Sequence, residues 1–179
     1  QRHAGRPGTG YRLAPTSGKN AFTINEDYVI VDGLEISNAS NSTTGSRNIN
    51  VSYGSRKSLI IENNILHGNT AGGTTYGIID LVASSSRHIY SNIIYDVTNG
   101  VSLYSGSSVN NVYIYNNTFS DITTGITVSG SASKYAVNNL FNDYSTSISG
   151  TITSQNNIAD TNVVFADETN DDFHLSLDD

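Results

Sequence analysis

Val112-Tyr113-Ile114-Tyr115-Asn116-Asn117-Thr118-Phe119-Ser120-Asp121 is the stretch whose reading decides the fold. Val112 and Ile114 alternate with Tyr113 and Tyr115, which marks a strand with two distinct faces, and the Asn pair marks a bend behind it. The same word stands upstream as Leu59-Ile60-Ile61-Glu62-Asn63-Asn64-Ile65-Leu66 and as His88-Ile89-Tyr90-Ser91-Asn92-Ile93-Ile94-Tyr95-Asp96. It stands downstream as Tyr135-Ala136-Val137-Asn138-Asn139-Leu140-Phe141-Asn142-Asp143 and as Thr153-Ser154-Gln155-Asn156-Asn157-Ile158-Ala159. An earlier copy, Val29-Ile30-Val31-Asp32-Gly33-Leu34-Glu35-Ile36, lacks the Asn pair. A repeat of this length means one structural unit stacked on the next.

Aligned on the second Asn, the words fall at Leu34, Asn64, Asn92, Asn117, Asn139 and Asn157, so successive units shorten from 30 residues to 18. Three residues before each lie Val31, Ile61, Ile89, Ile114, Ala136 and Ser154; two residues after lie Ile36, Leu66, Ile94, Phe119, Phe141 and Ala159. These two columns are the predicted core. The last unit has almost no apolar content in either and is expected to end the stack.

A second strand is predicted after a turn residue in each unit: Ile49 to Val51, Gly77 to Leu81, Gly100 to Leu103, Gly125 to Val128, and Gly150 to Ile152. The glycines are read as bends needing positive φ. No unit shows a 3.6-residue apolar period, which excludes helical repeats. The unit length suits one turn of a parallel β-solenoid, each strand pairing with its counterpart about 4.8 Å further on.

The rest of the composition bounds the class. The chain has 179 residues, a net charge of −7 and no Cys. Without a dense basic run it lacks the surface that nucleic acid requires, and without thiols it has neither disulfide nor thiolate metal site. No apolar run reaches the length of a membrane span. The chain begins on Gln and contains no Met, and so reads as a processed product or an internal fragment. Three regions are expected: loop with a partial coil over 1–20, the solenoid over 21–160 and a tail over 161–179. The loop is expected to hold one strand at Tyr11 to Ala14.

The word Ile-x-Asn-Asn-x-Phe followed by Gly-Ile-x-Val resembles the repeat of right-handed parallel β-helix proteins of the pectate-lyase-like superfamily. The resemblance implies an all-β, right-handed parallel β-helix of about five to six coils. Phe165-Ala-Asp167 with Asp172-Phe173-His174-Leu175 resembles the closing segment of secreted members, which implies an extracellular or cell-surface location. The superfamily includes polysaccharide lyases, hydrolases, phage tailspikes and non-catalytic surface proteins, so the fold alone does not choose among them. The Gly-His-Gly and Arg-x-Lys words of its polygalacturonase-like members are absent from this chain.

Three sets of residues are candidates for function. The Asn column is read as a ladder of stacked carboxamides, with Asn also suited to a left-handed bend. An acidic column, Asp96, Asp121 and Asp143, stands four residues after it; either each Asp caps its own turn, or neighbouring carboxylates hold calcium between them. The outward side of the repeated strand carries His88, Tyr90, Tyr113, Tyr115 and Tyr135, with Arg56, Lys57, Arg87 and Lys134 at the bends leading in. Either this is cross-strand aromatic packing, or it is a platform where rings stack on sugars and the cations bind hydroxyls or carboxylates. Lyase-like members of the superfamily use Arg or Lys as base beside calcium, a role the resemblance would give to Arg87, near Asp80 and His88; the alternative is an Arg at a bend that simply faces solvent. His3, His67 and His174 sit singly. Two function classes follow: a polysaccharide-binding domain that is part of a lyase, or a filament, tailspike or adhesin segment that self-associates through its open β-helix ends.

Overall fold

The computed structural model describes residues 2–15, 20–38, 45–52, 58–68, 73–81, 86–104, 111–130, 133–160 and 163–176. It is a parallel β-solenoid with three faces. The front sheet stacks six parallel strands, Val29–Asp32, Leu59–Glu62, Arg87–Tyr90, Val112–Tyr115, Lys134–Val137 and Thr153–Gln155. Past the Asn bend, a second face stacks Tyr11–Leu13, Leu34–Ser37, Ile65–His67, the starts of Ile93–Tyr104 and Thr118–Ser129, then Leu140–Phe141 and Ile158–Ala159. The third face stacks Asn20–Ile24, Ser46–Val51, Thr75–Asp80, the ends of the same two long strands, and Tyr144–Ser149.

The two predicted columns are the core. Val31, Ile61, Ile89, Ile114 and Ala136 are buried in one, and Ile36, Leu66, Ile94, Phe119 and Phe141 in the other, with the Phe119 and Phe141 rings stacked at 4.9 Å. Ser154 and Ala159 are exposed, because among the described residues their strands are the last of their sheets. The third face adds Ile49, Ile78, Val101 and Ile126 to the same cluster.

The bend behind the front sheet divides its work between the two residues of each pair. The first residue takes the left-handed conformation: Gly33, Asn63, Ser91, Asn116, Asn138 and Asn156 all have φ between 52° and 72°. The second carries the ladder. The Asn117 carboxamide oxygen accepts from the Asn92 main-chain N at 3.1 Å and from Asn92 Nδ2 at 3.0 Å, while Asn117 Nδ2 donates to Ile89 O and to Asn139 Oδ1, both at 3.0 Å. The pattern repeats at Asn64, Asn92, Asn139 and Asn157 and ends where the Leu34 main-chain N donates to Asn64 Oδ1 at 3.0 Å. The left-handed bend therefore belongs to the partner of the ladder Asn rather than to the ladder Asn itself.

Three further expectations are corrected. Gly77, Gly100 and Gly125 are not bends with positive φ; they lie within strands. A Cβ on Gly100 would stand 2.5 Å from Gly125 O and 2.7 Å from the Phe119 ring, so these glycines make room for the neighbouring core side chains. The two strands predicted in the third and fourth coils are single twelve-residue strands, bent at Asp96 and Asp121. In the fifth coil the second strand is Tyr144–Ser149, with Gly150 (φ 101°) behind it, rather than Gly150 to Ile152.

The tail forms an antiparallel hairpin, Phe165–Asp167 with Asp172–Leu175. It packs on the outside of the second face, where Phe165 and Phe173 join Ile65 and Tyr95 in a separate apolar cluster. The N-terminal arm meets it there, through the ion pair between Arg6 and Asp172.

Candidate functional site

The outward side of the front sheet is two residue columns wide. In the first, Ile30, Ile60, His88, Tyr113, Tyr135 and Thr153 lie in register; in the second, Asp32, Glu62, Tyr90, Tyr115, Val137 and Gln155. The five predicted ring residues are thus brought together on one half-exposed surface. Their rings stack along the solenoid axis: His88 on Tyr113 at 5.0 Å, Tyr113 on Tyr135 at 5.2 Å and Tyr90 on Tyr115 at 4.8 Å.

Parallel stacking turns ring edges and hydroxyls outward and uses most ring faces against one another. The expected platform of upward-facing rings is therefore replaced by rows of phenol groups on an apolar support. Asn111 Nδ2 donates to the Tyr113 hydroxyl at 2.9 Å. The Tyr90 hydroxyl is bonded to Glu62; that bond, with burial and the Glu62 charge, pushes its pKa up to about 12. Burial, and then the Glu62 charge, also raises Tyr115.

The cations do not join this surface. Arg87 is 1% exposed and its Nε donates to Asp80 Oδ2 at 2.7 Å inside the solenoid. Lys134 is 3% exposed and its Nζ donates to Gly130 O at 2.7 Å, with burial lowering its pKa. Both occupy the first position of a front strand, in register with Leu59 and Val112, and strand alternation turns that position inward. Arg87 as a substrate-binding or basic residue is corrected accordingly: it is the buried partner of Asp80, a pairing that offsets part of the desolvation of both charges. Counting back one residue from His88 would have shown this. Arg56 and Lys57 lie outside the described residues.

The acidic column is real as a bend. Asp96, Asp121 and Asp143 have φ of 53°, 49° and 43°, a conformation that Asp tolerates better than most residues. Burial, and then neighbouring acids, raise the Asp121 pKa; burial and Asp171 raise that of Asp96. Among the described residues, no group of three or more acids or histidines converges so as to hold a metal ion.

The histidines that look solitary in sequence have partners in space. His67 Nε2 lies 3.1 Å from Glu35 Oε1, and its ring stacks on Tyr95 at 4.9 Å. His174 Nδ1 lies 2.5 Å from Asp172 Oδ1, and His3 Nε2 2.5 Å from Asn63 O. His67 thus joins neighbouring coils of the second face, His3 fixes the N-terminal arm to the Asn63 bend and His174 stays within the tail hairpin, and no periodic signal announces these contacts. Sequence reasoning also passed over the corner of the third face. There Arg47 Nη1 donates to Asn50 Oδ1 at 2.7 Å, and Arg47 Nε and Ser102 Oγ are buried without a hydrogen-bond partner.

A family model described as right handed beta helix region matches residues 13–141. Comparison with curated proteins and with solved structures gives no match.

Proposed function

This chain belongs to the right-handed β-helix family, and from that premise we propose that it binds polysaccharide along the tyrosine-bearing outer side of its front sheet. One observation carries the reading: the register that sets His88, Tyr113 and Tyr135 beside Tyr90 and Tyr115. This arrangement gives an elongated strip with an apolar floor and hydroxyl edges, the combination that suits an extended sugar chain. With Arg87 and Lys134 turned inward, Arg2 taken up by Asp32 and Glu62 beside Tyr90, the strip favours neutral glycans over anionic ones. A glycan partner sets the domain outside the cell or on its surface. A lyase built on this domain would draw its base from elsewhere than Arg87, since a guanidinium closed off by Asp80 cannot touch a sugar on the outer face.

The test is a binding screen of neutral and anionic oligosaccharides, followed by Tyr113→Ala and Tyr115→Ala. Each substitution should weaken binding of the best neutral glycan by up to about tenfold and leave the circular dichroism spectrum unchanged. Affinity should change little between low and physiological salt, because the described residues of the strip offer a sugar rings and hydroxyls rather than an ion pair. Binding confined to anionic glycans, with a steep salt dependence, would overturn the reading.

A further inference from the structure

We infer that the face of Tyr135 turned away from Tyr113 seats a single pyranose ring, so that a sugar continues the aromatic stack where the protein's own rings stop; this inference rests on the glycan reading above. Tyr113 is covered on both faces, by His88 and by Tyr135. Four ring faces are left at the ends of the two stacks. Register sets Ile60 against that of His88 and Glu62 against that of Tyr90, both long side chains. Val137 follows Tyr115 and Thr153 follows Tyr135, and these end at their γ atoms, too short to cover a phenol ring. Of the two, the Tyr135 face opens on a cleft of about 200 Å³ lined by Ser133, Lys134, Tyr135, Thr151, Ile152 and Thr153.

The chemistry of that cleft matches one sugar. A pyranose presents an apolar C–H face, which packs on the open side of Tyr135, and a rim of hydroxyls, which meets the hydroxyls of Ser133, Thr151 and Thr153. The cleft is smaller than the roughly 300–1,000 Å³ of sites for drug-sized ligands, so it takes one ring at a chain end or branch. The sugar chain then continues over the phenol edges of Tyr135 and Tyr113.

The experiment is calorimetric titration of the whole chain with the best-binding neutral oligosaccharide from the screen, using wild type, Thr153→Ile and Thr153→Tyr. Thr153→Ile places against Tyr135 the side chain that already stands against His88, and should lower affinity roughly tenfold. Thr153→Tyr offers a fresh ring face one coil further on and should keep affinity within about threefold of wild type. Residue 153 lies on an exposed end strand, so both variants should melt close to wild type. Wild-type affinity in Thr153→Ile would overturn this subsite while leaving the binding strip in place. If wild type itself binds no glycan of the panel, the strip and the subsite both fall.

Discussion

At the scale of single residues, the Asn pair separates two duties that look alike in sequence. Asn116 supplies a left-handed bend, φ 55°, and Asn117 supplies a buried carboxamide with partners on both neighbouring coils. The consequences of mutation should separate in the same way. Asn117→Ala takes the acceptor from the Asn92 main-chain N and a donor from the Ile89 carbonyl, while Asn92 Nδ2 keeps Ile61 O and Tyr90 O; an orphaned buried polar group costs about 1–3 kcal/mol. The expected loss is therefore about 1–3 kcal/mol, read from chemical denaturation. Asn116→Gly, which keeps the bend accessible, should change stability by less than about 1 kcal/mol. Equal losses at the two positions would show that bend and ladder are not separable. Glycine makes the complementary point: Gly100 is kept by a carbonyl and a phenyl ring standing where a Cβ would lie, a reason that sequence does not distinguish from a turn.

At the scale of elements, what could be read from the sequence is what recurs at fixed positions in each coil. Stacking turns every position of the word into a column, so the core, the ladder and the ring-bearing face were all visible as repeats. Features outside the columns were not. The strand Tyr144–Ser149 escaped because, near the open end of the stack, only part of it needs apolar side chains; Ile148 carries the register with Ile126. Asp96 and Asp121, expected at turns, lie at bends within strands that run on through them. The strap across the second face joins Arg6 to Asp172, residues far apart in sequence. Charge makes these elements respond oppositely to pH. Hydrogen bonding to Arg6, then to His174, holds the Asp172 carboxyl far below the usual carboxylate range; its contribution is full above that range and is lost as pH falls through the lowered value. Asp121 is raised above 3.8, so its contribution is full below that value and is lost as pH rises through the raised one. Asp121→Asn, which still tolerates the left-handed bend, should therefore melt higher than wild type at pH 7 and no differently at about pH 3. A lower melting temperature at pH 7 would instead show that the carboxylate caps its turn. The same variant tests the proposal that calcium bridges the column: millimolar calcium against chelator should raise the melting temperature of wild type and not of Asp121→Asn.

At the scale of the molecule, a solenoid is a one-dimensional stack, and its two ends are where it meets its surroundings. Among the described residues, the front sheet ends on Val29–Asp32 at one side and on Thr153–Gln155 at the other, each hydrogen-bonded to a neighbouring strand on one edge only. The first end is apolar: Ile30 is 61% exposed, and Tyr28, Val29, Ile30, Ser58 and Ile60 line a shallow cleft. An exposed strand edge of this kind is a template for pairing with another copy, which is the basis of the rival reading of the chain as an assembly segment. The two readings separate at the Val29–Asp32 end, since glycan binding uses the rings and the cleft beside Thr153, whereas end-to-end assembly also needs the Val29–Asp32 edge. Ile30→Lys sets a charge on the open edge, two coils away from His88 along the same column, and should leave glycan affinity within about twofold of wild type. If copies associate end to end, sedimentation velocity should show wild-type oligomers that grow with concentration and disappear in Ile30→Lys. A wild type that stays monomeric across the concentration range removes the assembly reading. If oligomers instead dissolve on Tyr113→Ala and survive Ile30→Lys, while every glycan in the screen binds the Tyr variant as before, the ring-bearing strip is itself the contact between copies. The polysaccharide reading would then be dropped.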